Sequence, residues 1–221
     1  MRYYPINLDL RQRQCLVVGA GAVGLRKALA LLDCGAEVTV IGRTVTPRVV
    51  ELAARRDLRL KNRDYRSTDL EGMFLVIGAT DSPETNRRIH NDAHRRNILC
   101  NIADRPEVCN FILPSIIRRG DLIIAVSTSG KSPAFAKKVR QDLERQFGPE
   151  YAEFLDLMGA IRKKLLNAEH SPEAHKPLFE KLIGGGLLEM VRNRKAEEIN
   201  LLLRKTLGPG YEVDALNLQL R

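Results

Sequence analysis

The sequence predicts an α/β fold, a doubly wound parallel sheet followed by a mainly helical region. Three observations predict it. Short apolar runs recur along residues 15–126 with helix-forming segments between them. One run passes directly into Gly19, Gly21 and Gly24, spaced Gly-x-Gly-x-x-Gly. Beyond Val126 no stretch reads as another buried strand, and residues 132–221 carry helical patterns instead.

Taken in order, Cys15–Val18 is an apolar strand that ends at the glycines. Gly19 allows a tight turn out of the strand, Gly21 lets backbone approach a pyrophosphate, and Gly24 lets the next helix pack closely on the sheet. Ala22 and Val23 open that helix, whose unpaired N–H groups and positive dipole end face an anion. Arg26–Leu32 is rich in helix formers and Gly35 suits its stop. Glu37–Ile41 resumes a strand, and Leu58–Leu60, Phe74–Ile77, Ile98–Ile102 and Leu122–Val126 are read as further strands of the same parallel sheet. Strand-turn-helix units in this series make a Rossmann-like domain, in which right-handed crossovers bring the carboxyl ends of the strands to one ligand-binding edge. Pro133 then opens a helix over Ala134–Phe147, and Tyr151–Leu166 and Leu187–Leu207 are expected as helices, separated by Gly184, Gly185 and Gly186. Leu188, Val191, Ile199, Leu202 and Leu203 form a stripe that is either core or a partner-facing surface.

Composition narrows the function classes. The 221 residues are 44% hydrophobic, enough for a full core, with 36 Lys and Arg against 27 Asp and Glu for a net charge of +9. Such a surface attracts polyanions: nucleic acid or a multiply carboxylated metabolite. Aromatics are 5% with no Trp, and no base-stacking pattern interleaves with the basic residues, so no nucleic-acid partner is expected. No apolar run reaches the length of a membrane span and Met1–Pro5 has no signal-peptide core, so a cytoplasmic protein with no membrane contact is expected. Cys15, Cys34, Cys100 and Cys109 show no Cys-x-x-Cys pairing and read as buried free thiols in a reducing compartment. His90 and His94 are four apart on a predicted helix, but among Arg87, Arg88, Arg95 and Arg96 they read as a solvated basic face; no metal site is expected.

Chemistry is read from the segments that follow strands. After Ile41 the chain places Gly42, Arg43 and Thr44 where an acidic ribose ligand often sits. Arg43 either accepts a 2′-phosphate, favouring NADP, or joins Thr44 at the adenosine half of NAD. Gly78-Ala79-Thr80 lets a cofactor lie against backbone, with the Thr80 hydroxyl as a hydrogen-bonding group; the same segment also caps the helix that begins near Pro83. Asn101 and Asp104 emerge after the fifth strand. Asp104 is the candidate general acid/base, because a carboxylate shielded from water near a nicotinamide can take a substrate proton; the alternative is a pairing with Arg105 or a turn cap before Pro106. Ser127, Thr128, Ser129, Lys131 and Ser132 stack hydroxyls, a cation and N–H groups in one turn, an anion site that also contains the helix cap Ser132-Pro133. It lacks the upstream glycine and spacer of a Walker A loop.

Together, Gly19–Lys27, Ala79–Asp81, Asn101–Pro114 and Ala125–Ala134 closely resemble the precorrin-2 dehydrogenase family, which includes the N-terminal module of sirohaem synthase. The resemblance runs in order from about Tyr3 to Phe147. It implies NAD-dependent oxidation of precorrin-2 to sirohydrochlorin, in some members followed by iron insertion. It implies a homodimer, a tetrapyrrole substrate bearing eight carboxylates, and Asp104 as the catalytic aspartate. It also favours NAD, with Arg43 and Thr44 at the adenosine end, and assigns Asn101 and the Ser127–Ser132 turn to the substrate. Thr128 stands where some members carry a phosphorylatable serine, so that regulation is not expected. The domain division expected from these signals is 1–114 for NAD binding, 115–147 for crossover and dimerisation, and 148–221 for a helical C-terminal region. The methylation that makes precorrin-2 is expected from other enzymes. Two alternatives stand beside this reading: a bifunctional dehydrogenase and ferrochelatase, and an NAD-sensing module without catalysis.

Overall fold

The computed structural model describes residues 2–103, 105–167 and 172–218, and its chain divides into two compact units, Met1–Leu113 and Pro114–Arg221. In the first unit, β1 (Gln14–Val18), α1 (Ala22–Leu32), β2 (Glu37–Ile41), α2 (Pro47–Ala54), β3 (Arg59–Lys61), β4 (Leu75–Gly78), α3 (Pro83–Arg95) and β5 (Leu99–Ile102) follow one another. All the strands pair in parallel, in the order β3-β2-β1-β4-β5. The chain winds outward from β1 to one edge, then returns to β1's other side at β4. The point between β1 and β4 is therefore the switch point of the sheet, where such folds bind ligands.

The apolar runs are continuous because both sheet faces are buried. Cys15 and Val17 of β1, Val38 and Val40 of β2 and Ile77 of β4 pack with Ala28, Leu31, Val49 and Leu52 of α1 and α2. Leu16, Val18, Ile41, Val76 and Cys100 point the other way, against Ile89 and Ala93 of α3. The expectation of buried cysteines is corrected at Cys34, which is exposed because it lies in the turn between α1 and β2. Edge strand β3 is short and reads Arg59-Leu60-Lys61, and its charges protect the open edge from further pairing. Ser82 starts α3, its side chain accepting a hydrogen bond from Thr85 N–H at 3.2 Å, with Pro83 in the first turn.

The second unit corrects two expectations. Leu122–Val126 (β7) is not a sixth parallel strand. It pairs antiparallel with Ser115–Arg119 (β6) in a separate two-stranded sheet, from Ser115 opposite Val126 to Arg119 opposite Leu122. The two-residue connection Gly120-Asp121 places Gly120 at φ 57°, a tight hairpin turn that glycine allows. Among the described residues the helices α4 (Pro133–Gln146), α5 (Glu150–Leu166), α6 (Pro172–Gly184), α7 (Leu187–Arg192) and α8 (Ala196–Leu207) follow. The single helix expected over Leu187–Leu207 is thus two, broken where Arg194 takes φ 58°. The break lets both pieces turn apolar residues into one core: Val191, Ile199 and Leu203 are fully buried with Leu157, Ile161 and Leu182. These three stripe residues are core, not a partner-facing surface.

Candidate functional site

A cleft of about 870 Å³ opens in the first unit at the carboxyl ends of β1, β2 and β4. Its floor is the glycine turn. Gly19 has φ 116°, and a Cβ there would lie 2.1 Å from the Ala79 carbonyl oxygen, so only glycine lets β1 and β4 end side by side. A Cβ on Gly24 would meet the Gly19 carbonyl oxygen at 1.8 Å, which is why α1 sits so close to the turn. Gly21 differs: its backbone is ordinary extended geometry and nothing lies within 4 Å of where its Cβ would be. That open space belongs to the cleft, lined by Gly21, Ala22 and Val23. The first turn of α1 has no acidic residue and no side-chain cap, so its N–H groups and positive dipole end are turned to an anion without competition. Small residues, an open glycine and an uncapped helix start fit a dinucleotide pyrophosphate.

The walls are built by neighbouring turns. On the β4 side, the Thr80 hydroxyl donates to Asn86 Oδ1 at 2.8 Å, and the Asn86 amide donates back to the Thr80 carbonyl at 2.9 Å. Asn86, six residues away in α3, thereby fixes the turn at the cleft; its sequence signal was only a polar residue in a helix. On the β2 side, Arg43 and Thr44 line the cleft and are exposed. Arg43 makes an ion pair with Asp64, from the turn after β3. Arg63 points to Asp69, whose carboxylate is buried and accepts bonds from both guanidinium nitrogens, the Arg66 N–H and Lys61. Burial alone would push this carboxyl's pKa up, but the hydrogen bonds from Arg63, Arg66 and Lys61 outweigh it and hold the group well below the usual carboxylate range. Arg88 lies over the Tyr65 ring and donates to the Tyr65 carbonyl at 2.7 Å, closing the same wall. The Tyr65 hydroxyl and Ser67 both donate to buried Asp92, and burial raises the Tyr65 phenol above its ordinary value.

Of the other expected site residues, Asp104 lies outside the described residues. Asn101 is buried, and its amide donates to the Phe111 carbonyl at 3.1 Å, tying the segment after β5 to the sheet. Ser127 to Ser132 belong to the second unit. There Ser129 and Gly130 take positive φ, Ser127 Oγ accepts from Ser129 N–H, and Thr128 Oγ1 accepts from Ser132 N–H at 3.1 Å. Ser132 caps α4 by accepting from Phe135 N–H, while Lys131 is exposed at the turn. The hydroxyls therefore shape the turn first. His90 and His94 stack with ring centroids 6.0 Å apart, and among the described residues no group of three or more His, Cys, Asp or Glu stands ready for a metal.

The fold and the cleft define a Rossmann-type dinucleotide-binding protein, and comparison with known proteins narrows it. Residues 6–115 match the NAD(P)-binding family and residues 119–146 the family described as sirohaem biosynthesis protein central. The chain is 37% identical over 203 residues to a sirohaem synthase of Methylococcus capsulatus, covering 92% of this chain and 43% of that one. It is 35% identical over 206 residues to a sirohaem synthase of Photobacterium profundum, covering 91% and 44%. The chain thus spans less than half the length of these relatives. A solved structure of SirC, a precorrin-2 dehydrogenase, superposes with a TM-score of 0.78 at 27% identity, over 91% of this chain and 100% of SirC. The chain is thus similar to a precorrin-2 dehydrogenase over that protein's full length and to less than half the length of the sirohaem synthases. Its cofactor is a nicotinamide dinucleotide.

Proposed function

We propose that this chain oxidises precorrin-2 to sirohydrochlorin, with NAD in preference to NADP as the hydride acceptor. The observation that carries the reading is the open Gly21 at an uncapped helix start on the sheet's switch point, in a chain that overlies the full length of a precorrin-2 dehydrogenase. When bound, the dinucleotide supplies the site that receives hydride. The residues of this chain do the rest. Gly19, Gly21, Ala22, Val23 and Gly24 receive the pyrophosphate, Thr80 borders the β4 side, and Arg43 and Thr44 the β2 side. Two hydrogens leave the macrocycle, one as hydride and one as a proton, and Asp104 is the group assigned to the proton. The net charge of +9 suits a substrate with eight carboxylates, and Lys131, with Ser127, Thr128, Ser129 and Ser132, is proposed to meet some of them. Asn101, whose amide is spent inside the unit, would shape the substrate edge rather than touch it.

The homodimer belongs to the same proposal. Ile116 and Ile123, each 52% exposed, share the outer face of the β6–β7 hairpin and offer an apolar surface for a second copy. We place the reaction in the cytoplasm, where the free cysteines stay reduced; no helix among the described residues is long and apolar enough to cross a membrane. The test is anaerobic conversion of precorrin-2, followed by absorbance, with NAD and NADP side by side. Conversion with NAD as the better acceptor is expected. Absence of conversion with either, despite dinucleotide binding, would replace the enzyme with a sensing module.

A further inference from the structure

We propose that Asp64 sets the choice between the two nicotinamide dinucleotides by holding Arg43 in an ion pair at the β2 end of the cleft. The proposal rests on the cofactor reading above. In this fold a carboxylate at the end of the second strand accepts from the ribose hydroxyls, whereas an arginine there accommodates a 2′-phosphate. The chain after β2 reads Gly42-Arg43-Thr44, with no acid, and by that criterion it selects NADP.

The neighbouring strand reverses the result. β3 lies beside β2 with Lys61 opposite Ile41, and Gly42 N–H donates to the Lys61 carbonyl at 3.3 Å, so the turns that leave the two strands run side by side. Oriented to satisfy its neighbours, the Asn62 amide nitrogen donates to the Gly42 carbonyl at 3.0 Å and the Arg43 carbonyl at 3.1 Å. Two residues on, Asp64 reaches the Arg43 guanidinium, and both side chains line the cleft. The carboxylate missing from β2 is thus delivered by β3. Ribose hydroxyls are neutral donors that such a carboxylate accepts. A 2′-phosphate must instead displace Asp64 from Arg43 and then lie next to it, anion against anion. Arg63 does not substitute for Arg43, because buried Asp69 holds it. Arg66 is exposed and borders the depression beside the pair, so it is a cation the experiment has to separate from Arg43.

Arg43 and Asp64 are 75% and 66% exposed, so water and salt screen the pair and the discrimination is of moderate size. The experiment titrates the full chain with NADH and with NADPH by nucleotide fluorescence, at low and high salt. It compares the unaltered protein, Asp64→Asn, and Asp64→Asn combined with Arg43→Ala. Asn keeps an acceptor and removes the charge. Asp64→Asn should raise the ratio of NADPH to NADH affinity by about tenfold at low salt, and the gain should shrink at high salt. The double variant should lose the gain. An unchanged NADPH-to-NADH ratio in Asp64→Asn, with NADH still bound, overturns this proposal alone. A gain that survives Arg43→Ala also overturns it, since Arg66 or simple loss of repulsion would then be responsible. Failure of the unaltered protein to bind either nucleotide overturns the cofactor reading and this proposal with it.

Discussion

Replacing Gly21 and Gly24 should damage different properties of the protein. At Gly21 the backbone has φ −78° and ψ −172°, which any residue adopts, and a Cβ meets no atom within 4 Å. Gly21→Ala should therefore leave the unfolding free energy within about 1 kcal/mol of the original, the cost of exchanging an N-cap glycine for alanine. Gly21→Asp should fold equally well but carry a negative charge into the space assigned to the pyrophosphate. A pair of like charges about 4 Å apart costs about 1 kcal/mol in water and about 4 kcal/mol at an effective dielectric constant of 20. The half-open cleft lies between these limits, so a loss of about 2 kcal/mol, about thirtyfold in dinucleotide affinity, is expected. Gly24→Ala should do the reverse. Alanine gains up to about 1 kcal/mol over glycine in helix propensity, but its Cβ lies 1.8 Å from the Gly19 carbonyl oxygen and 2.7 Å from the carbonyl carbon. No flexible side chain stands there to give way, so α1 must lift from the turn, and overpacking of this kind costs about 1–3 kcal/mol. The clash therefore outweighs propensity and the urea midpoint falls. Urea unfolding paired with NADH titration reads both effects. Undiminished NADH binding by Gly21→Asp, or full stability of Gly24→Ala, would refute the geometry argued for the glycine turn.

Three further outcomes are expected. Asp104→Ala should abolish tetrapyrrole oxidation while dinucleotide affinity stays within about twofold, because the pyrophosphate site is assigned to other residues; turnover at the original rate would remove Asp104 from the mechanism. Asp69 has a carboxyl pKa held below its unfolded value of about 3.9, so its contribution to stability is present above that pH and is lost as pH falls towards the lower folded value. Urea midpoints measured from pH 6 down to about 2.5 should fall less steeply in Asp69→Asn, and an unchanged slope would show that the Arg63–Asp69–Lys61 cluster is not linked to folding. Cys34 is exposed, whereas Cys15 and Cys100 are buried with thiols pushed up to about 11 and about 12 chiefly by that burial, and Cys109 is raised for the same reason. A thiol reagent should titrate Cys34 alone in the native protein and all four cysteines in urea; rapid native labelling of Cys100 would contradict the packing of β5.

Local signals were enough wherever neighbours along the chain decide the structure. The apolar runs at Cys15–Val18, Val38–Ile41 and Phe74–Ile77 report strands because parallel strands are buried on both faces. Ser82-Pro83 and Ser132-Pro133 report helix starts because a cap bonds within its own first turn. Gly24 reports a close strand-turn-helix packing because its Cβ would strike the Gly19 carbonyl of the same turn, whereas the atoms a Gly19 Cβ would strike belong to Ala79 and Thr80 after β4. The order β3-β2-β1-β4-β5, by contrast, depends on which strands meet. Leu122–Val126 has the same apolar character as the parallel strands, yet it pairs with Ser115–Arg119 across Gly120, because hydrophobicity records that a strand is covered and not which strand lies beside it. The helix break near Arg194 likewise comes from the need to bring Val191, Ile199 and Leu203 into one core. Site chemistry divides along the same line. The glycine turn and Arg43 were legible in the sequence, but Asp64 lies 21 residues from Arg43, and Asn86 six residues from Thr80 across a helix start. Charge pairs and fixed turns of that kind form only when the sheet brings separate strand ends together, so composition and spacing determined the class of ligand, and tertiary structure decided which charges face it.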